Sequence, residues 1–284
     1  MTAAAARGLR LLAGAAGIPL LAACSLLPGN RDAIATLAAE MPRHDVVLLG
    51  EVHDNADGHR LRLQALARAV RGGWRPVLAM EQFDRERQAD LDRAMRTCAD
   101  ADCVIRAATP AKTGWNWAHY RPVLELALRE KLPVVAANLS RADAGTVVKQ
   151  GPAALFDTGE LRRLGLLSPA PDLLTAQRRE VAEAHCGALP VSMLGGMAMA
   201  QLARDAVMAR AIAAAAPRPV ALLAGNGHVR RDIGVPRWLQ SGSILSVGYT
   251  EDPAAPGVYD RDIVVPRATR EDPCLAFRTP PPKR

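Results

Sequence analysis

From Asp45 onward, short apolar runs, several of them rich in β-branched residues, alternate with stretches of helical periodicity. The runs Val46 to Leu49, Pro76 to Met80, Pro133 to Ala137, Val220 to Ala224, Ile244 to Val247 and Asp262 to Val265 have the length of buried strands. Most lack polar alternation, which is how a strand covered on both faces reads. Between the first two, Leu63, Leu66, Ala67 and Val70 recur at i, i+3, i+4 and i+7, the spacing of one helix face. Arg85 to Thr97 reads as a second helix with Asp84 as N-cap, and a loop then carries Cys98 and Cys103. Another helix begins near Arg121, since Pro122 fits only a first turn, and ends near Lys131. Alternating units of this kind predict an α/β fold: a mainly parallel sheet with flanking helices, joined by right-handed crossovers. Residues 151–217 break the rhythm, being helical, Ala/Met-rich and without a convincing strand, and are predicted to form a helical insertion or cap.

The ends of the chain read differently. Arg7 and Arg10 precede an apolar stretch from Leu11 to Leu21, and Leu21-Ala22-Ala23-Cys24 closes it in the manner of a bacterial lipobox. Residues 1–23 are therefore predicted to be a lipoprotein signal peptide, with Cys24 the lipidated residue. Residues 24–39 read as tether and linker, 40–270 as the α/β domain and 271–284 as a C-terminal tail. Export permits disulfides. Cys98 and Cys103 are predicted to close a small loop, and Cys186 with Cys274 follows by elimination; neither pair has the two-residue spacing of a zinc knuckle. The formal charge of +7 is scattered, with no run of five basic residues and no interleaved aromatics. That argues against a nucleic-acid partner.

Chemistry-bearing residues follow the strands. Gly50-Glu51-Val52-His53-Asp54-Asn55 follows the first, Glu81-Gln82-Phe83-Asp84 the second, Asn138-Leu139-Ser140-Arg141 the third and Gly225-Asn226-Gly227-His228 the fourth. In an open parallel sheet the carboxyl ends of the strands share one edge, where such folds bind ligands. Glu51, His53, Glu81, Asn138, Asn226 and His228 are thereby predicted to meet in one cleft. Taken singly, Asp54, Asn55 and Ser140 also read as helix caps, and Gly225 and Gly227 as turn residues. Gly50-x-x-His53 and Gly225-x-x-His228 share one pattern, in which glycine permits a sharp turn and the His points back across the edge. With Glu81, the two imidazoles have the donor types of a divalent metal site; the same groups also suit a general base or hydrogen bonds to carboxylates. Spacing does not choose among these.

These segments, with Thr113-Gly114-Trp115-Asn116-Trp117-Ala118-His119-Tyr120, His185-Cys186 and Gln201-x-x-Arg204-Asp205-x-x-Met208-Ala209, resemble the ChaN family of haem-binding lipoproteins over about residues 40–245. That family is similar to the wider Tiki/TraB and erythromycin-esterase-like group. The resemblance implies a lipoprotein anchored in the bacterial outer membrane, facing the periplasm and serving iron or haem uptake with its machinery. It also implies a homodimer enclosing two stacked haems, a tyrosine on each iron, and basic or imidazole side chains on the propionates. Of the three tyrosines, Tyr120 is the first candidate ligand, Tyr249 the second and Tyr259 the third. Against this, Trp117, Tyr120, Leu124 and Ala127 would share one helical face, as core residues do. His59, His185, Arg141 and Arg230 are candidate propionate contacts, and Glu51, His53 and His228 complete the cofactor set. The four methionines Met193, Met197, Met199 and Met208 suit gap-filling in core or interface. The alternative implied by the relatives is a metal-dependent hydrolase using His53, His228 and Glu81.

Overall fold

The computed structural model describes residues 28–240, 242–272 and 274–275; the signal segment and Cys24 lie outside them. Six strands form one sheet: β1 Val46–Leu49, β2 Val77–Asp84, β3 Val134–Asn138, β4 Val220–Leu223, β5 Ile244–Thr250 and β6 Arg261–Val264. Their spatial order is β3-β2-β4-β1-β5-β6, and every neighbouring pair is parallel. The fold class is thus α/β. β1 and β4 are buried along their whole length, which is why they read as unbroken apolar runs. Register aligns Leu49 with Leu223 and Val247, and Met80 with Leu223, so the residues just beyond them gather at one edge.

Ten helices accompany the strands among the described residues: α1 Pro28–Glu40, α2 Ala56–Arg71, α3 Gln88–Thr97, α4 Ala101–Ala108, α5 Arg121–Glu130, α6 Arg141–Gln150, α7 Thr158–Arg163, α8 Pro171–Ala184, α9 Val191–Ala214 and the short α10 Asn226–Val229. Alternate strand residues face opposite sides of the sheet. Val47, Leu49, Leu78 and Met80 pack with α1, α2, α4 and α5, whereas Val46, Leu48, Val77 and Ala79 pack with Met208 and Ile212 of α9. The segment between β3 and β4 is helical throughout and has its own core, in which Val147, Phe156, Leu161, Leu173 and Leu202 meet. Within the described residues, no helix is long and apolar enough to cross a membrane.

Several local expectations are corrected. The stretch expected as linker contributes α1, whose Ile34, Leu37 and Ala38 are buried in the core. The buried face of α2 carries His59, Arg62, Leu66, Ala69 and Val70, while Leu63 and Ala67 are only half-buried. β2 continues through Glu81 to Asp84 with a register shift against β3, because these polar side chains are held at the buried edge rather than released to a loop. Asp84 therefore caps no helix; its Oδ1 accepts from Nδ2 of Asn138 at 3.0 Å, and Arg85–Arg87 forms a 3-10 turn before α3. The cysteines lie at helix ends instead of in a loop: Cys98 follows α3 and Cys103 sits in α4, and they are joined. Cys186 is bonded to Cys274, tying the chain after β6 to the α8–α9 junction.

Candidate functional site

Two acidic residues, at the ends of β1 and β2 with β4 between them, organise the carboxyl edge. Glu51, just past β1, is 2% exposed. Its Oε1 accepts from the Tyr120 hydroxyl at 2.5 Å and from Nδ1 of His53 at 2.8 Å. Its Oε2 accepts from Arg62 of α2, a guanidinium as deeply buried as the carboxylate. Burial alone would raise the Glu51 carboxyl, but the Arg62 charge and the His53 hydrogen bond hold it down at about 2. Arg62 also donates to Nδ1 of His59 at 3.0 Å, and Nε2 of His59 lies 3.0 Å from the His53 carbonyl, which fixes the Nε2–H tautomer. Burial and Arg62 push the His59 imidazole down to about 4, so it is neutral. His119 stacks on His59 with ring centroids 4.5 Å apart, and Trp115 and Trp117 pack edge-on to Tyr120.

Glu81 of β2 has looser surroundings. Its Oε2 accepts from the backbone N–H of Gly225 at 2.8 Å, and its Oε1 lies 3.6 Å from Nε2 of His228. Nδ1 of His228 is 2.6 Å from Oδ1 of Asp205, a fully buried residue of α9 that also receives Nε2 of Gln177 at 3.4 Å. Burial would strip the proton from His228, but the Asp205 and Glu81 carboxylates outweigh it and raise its pKa. Burial likewise pushes the Asp205 carboxyl up to about 6, and the hydrogen-bonded pair titrates together.

His53 joins the two groups. Burial lowers its pKa, yet the hydrogen bond to Glu51 and the charge of Glu81 raise it on balance. Its side chain is 52% exposed, and its Nε2 makes no hydrogen bond. A methyl group added at Gly225 would lie 2.9 Å from the His53 ring, and one at Gly50 would strike Asn226 and the Val247 carbonyl. Neither glycine has a positive φ. The expected sharp turn is therefore not what these glycines provide; they leave room for an imidazole and a backbone.

The structure brings together Glu51, His53, Glu81 and His228, with His59 beneath them. Asn226 holds β5 in place through hydrogen bonds with the Tyr249 backbone, and Asn55 and Ser140 cap α2 and α6. Tyr120 and Tyr249 are wholly buried, Tyr120 bonded to Glu51 and Tyr249 without a hydroxyl partner. Burial raises both phenols far above their ordinary range, first for Tyr120, where the Glu51 charge adds to it. Tyr259 packs over Gly248 and donates to the Asn226 carbonyl at 3.3 Å. In this fold Tyr120 and Tyr249, the first and second candidate ligands, present no accessible oxygen, whereas Tyr259 is half-buried. His59 is likewise buried rather than free for a propionate, and Arg230 is committed to Asp232 and Glu180. His185 Nδ1 lies 2.8 Å from the Val181 carbonyl, whereas Arg141, at the start of α6, is exposed. Among the described residues no three His, Cys, Asp or Glu side chains are disposed to hold a metal ion. Arg62, Asp205 and Gln177 had not been singled out for the site from the sequence.

Known proteins were compared with this arrangement. The family model described as haem-binding uptake, Tiki superfamily, ChaN matches residues 37–239. A solved structure from Campylobacter jejuni, described as cofacial haem binding to ChaN, superposes with a TM-score of 0.67 at 20% identity, over 80% of this chain and 89% of that one. An erythromycin esterase mutant in its open conformation gives a TM-score of 0.45 at 12% identity, over 80% of this chain and 78% of that one. No curated protein matches the sequence.

Proposed function

Since the chain belongs to the ChaN family of the Tiki superfamily, whose description is haem-binding uptake, we propose that it binds haem at the carboxyl edge of its sheet, where Nε2 of His53 would hold the group. One observation carries this reading: His53 is half-exposed, its Nδ1 is held by the buried Glu51, and its Nε2 is uncommitted. A carboxylate on the second nitrogen fixes the tautomer and ring orientation of a ligating histidine and makes it a stronger donor. Haem, when bound, would supply an iron for such a nitrogen donor. Arg141 is the basic group suited to a propionate. α9 supplies an apolar cover, since Asp205 meets His228 at this edge and Met197 stands roughly 12 Å further along the axis, at about 1.5 Å per residue. Its first turn carries the exposed Val191 and Met193.

The same proposal takes the chain to be anchored in the outer membrane through lipidated Cys24, facing the periplasm and holding haem between the two copies of a homodimer for iron or haem uptake. Two disulfides suit that oxidising compartment. Titrating hemin into the purified protein, with the Soret band and the sedimentation profile followed together, tests it. Saturation at one haem per chain with loading-dependent dimer formation is expected; the absence of a saturable Soret change would overturn the reading.

A second reading, hydrolysis, is favoured by one observation: two imidazole–carboxylate pairs, Glu51–His53 and Asp205–His228, flank Glu81, as general-base chemistry requires. It ranks lower because the donor set does not close around an ion. Turnover across ester and peptide panels, lost in His228→Ala, would promote it.

A further inference from the structure

The opposite edge of the sheet carries a different kind of site. There a cleft of about 860 Å³ opens at the starts of β1 and β4, lined by Asp45, Val46 and Val220. Four residues of β1 separate it from Glu51, roughly 13 Å at about 3.3 Å per strand residue. Five guanidiniums from four separate segments line it: Arg162 and Arg163 of α7, Arg210 of α9, Arg218 before β4, and Arg237 in the turn after α10. Arg237 has partners, being 3.4 Å from Asp172 and donating to the Asp232 carbonyl. The other four make no ion pair among the described residues, although the fold forms such pairs elsewhere for Arg85, Arg121, Arg230 and Arg270. Asp45 is the lone acid in the lining, and its carboxylate is taken by the N–H and hydroxyl of Ser243, at 2.8 and 3.0 Å.

Like charges gathered from four segments repel one another, and solvent screening only partly relieves this. An anion would turn that repulsion into attraction, with planar guanidiniums suited to paired oxygens. The walls between the arginines are apolar: Ala209 and Ala213 of α9, Leu164 and the Trp238 ring. We propose that this cleft binds an anionic amphiphile, a molecule with a phosphate or carboxylate head and an apolar body, at a site separate from the carboxyl edge. The arginines take the head and the α9 alanines with Trp238 take the body.

Calorimetric titration of the full chain with octyl phosphate below its micelle concentration, inorganic pyrophosphate and octyl glucoside tests this. Saturable one-to-one binding of octyl phosphate is expected, at least tenfold tighter than pyrophosphate, with none for the uncharged glucoside. The double variant Arg163→Gln/Arg210→Gln, altered only at exposed side chains, should weaken it at least tenfold at an unchanged melting temperature. Ala213→Trp, which fills the cleft without touching a charge, should do the same. Pyrophosphate binding as tightly as octyl phosphate, or affinity indifferent to both variants, would overturn the proposal. Hemin titrated into the double variant keeps the two sites apart: an unchanged Soret response supports separate sites, and its loss would contradict them.

Discussion

Two carboxylates at strand ends on either side of β4, Glu51 and Glu81, flank the same imidazole and are used in opposite ways. Glu51 is enclosed: Arg62, Tyr120 and His53 occupy both its oxygens, and His59, stacked on His119, is packed beneath. Glu81, as buried as Glu51, accepts a backbone N–H on one oxygen and faces on the other a histidine whose side chain is 13% exposed. The first arrangement is a strut that sets the position and proton of His53; the second leaves groups able to meet a ligand. A Glu beside a Gly-x-x-His pattern is therefore no functional unit by itself. What the neighbouring helix brings, Arg62 from α2 or Asp205 from α9, decides which it becomes.

The contrast can be broken most forcefully at the strut. Glu51→Gln leaves Arg62 buried without its counter-ion, which costs about 3–5 kcal/mol and should lower the melting temperature by roughly 10 °C. The pH dependence follows from the same group. Its folded pKa of about 2 lies below the ordinary glutamate value of 4.5. Its contribution, about 3 kcal/mol, is therefore present above pH 4.5 and lost as pH falls through 2. Acid unfolding followed by circular dichroism should be shallower in Glu51→Gln over that window. A variant as stable as the parent would show that the strut is not one.

A smaller effect is expected on the other side. Asp205→Asn removes the charged partner of His228 and should cost about 2 kcal/mol, while the His228 pKa, followed by NMR, falls as its main support is withdrawn. Smallest is Tyr120→Phe, which loses one hydrogen bond, about 1 kcal/mol, and should leave the haem spectrum unchanged. A changed Soret band in that variant would restore the phenol as ligand.

Much of this was legible in the sequence. All six strands were anticipated, because a two-sided parallel sheet writes itself as continuous apolar runs; the polar segments after β1, β2 and β4 meet at one edge, whereas Asn138 after β3 pairs with Asp84. What escaped depended on burial. Arg62 stands in α2 among Arg60, Arg68 and Arg71, and composition does not distinguish it; its place on the buried stripe with His59 and Leu66 was the available signal. Asp205 is the sole acid in the 24 residues of α9 and stands among its buried alanines, where a carboxylate needs a partner. Of Trp117, Tyr120, Leu124 and Ala127, which the spacing puts on one helical face, the last three are buried while Trp117 is half-buried in a 3-10 turn; the direction of the Tyr120 hydroxyl depends on Glu51, 69 positions away, and no local pattern encodes that.

The central claim is that the half-exposed His53, held by Glu51, meets haem at the carboxyl edge. Hemin titrations of the parent chain and of His53→Ala, at pH 6 and pH 8, test it most directly. Saturable binding is expected in the parent, weaker at pH 6 because a proton competes for an imidazole whose pKa is raised. At least a tenfold loss of affinity with a shifted Soret band is expected in His53→Ala. An identical spectrum and affinity in the two proteins at both pH values would contradict it.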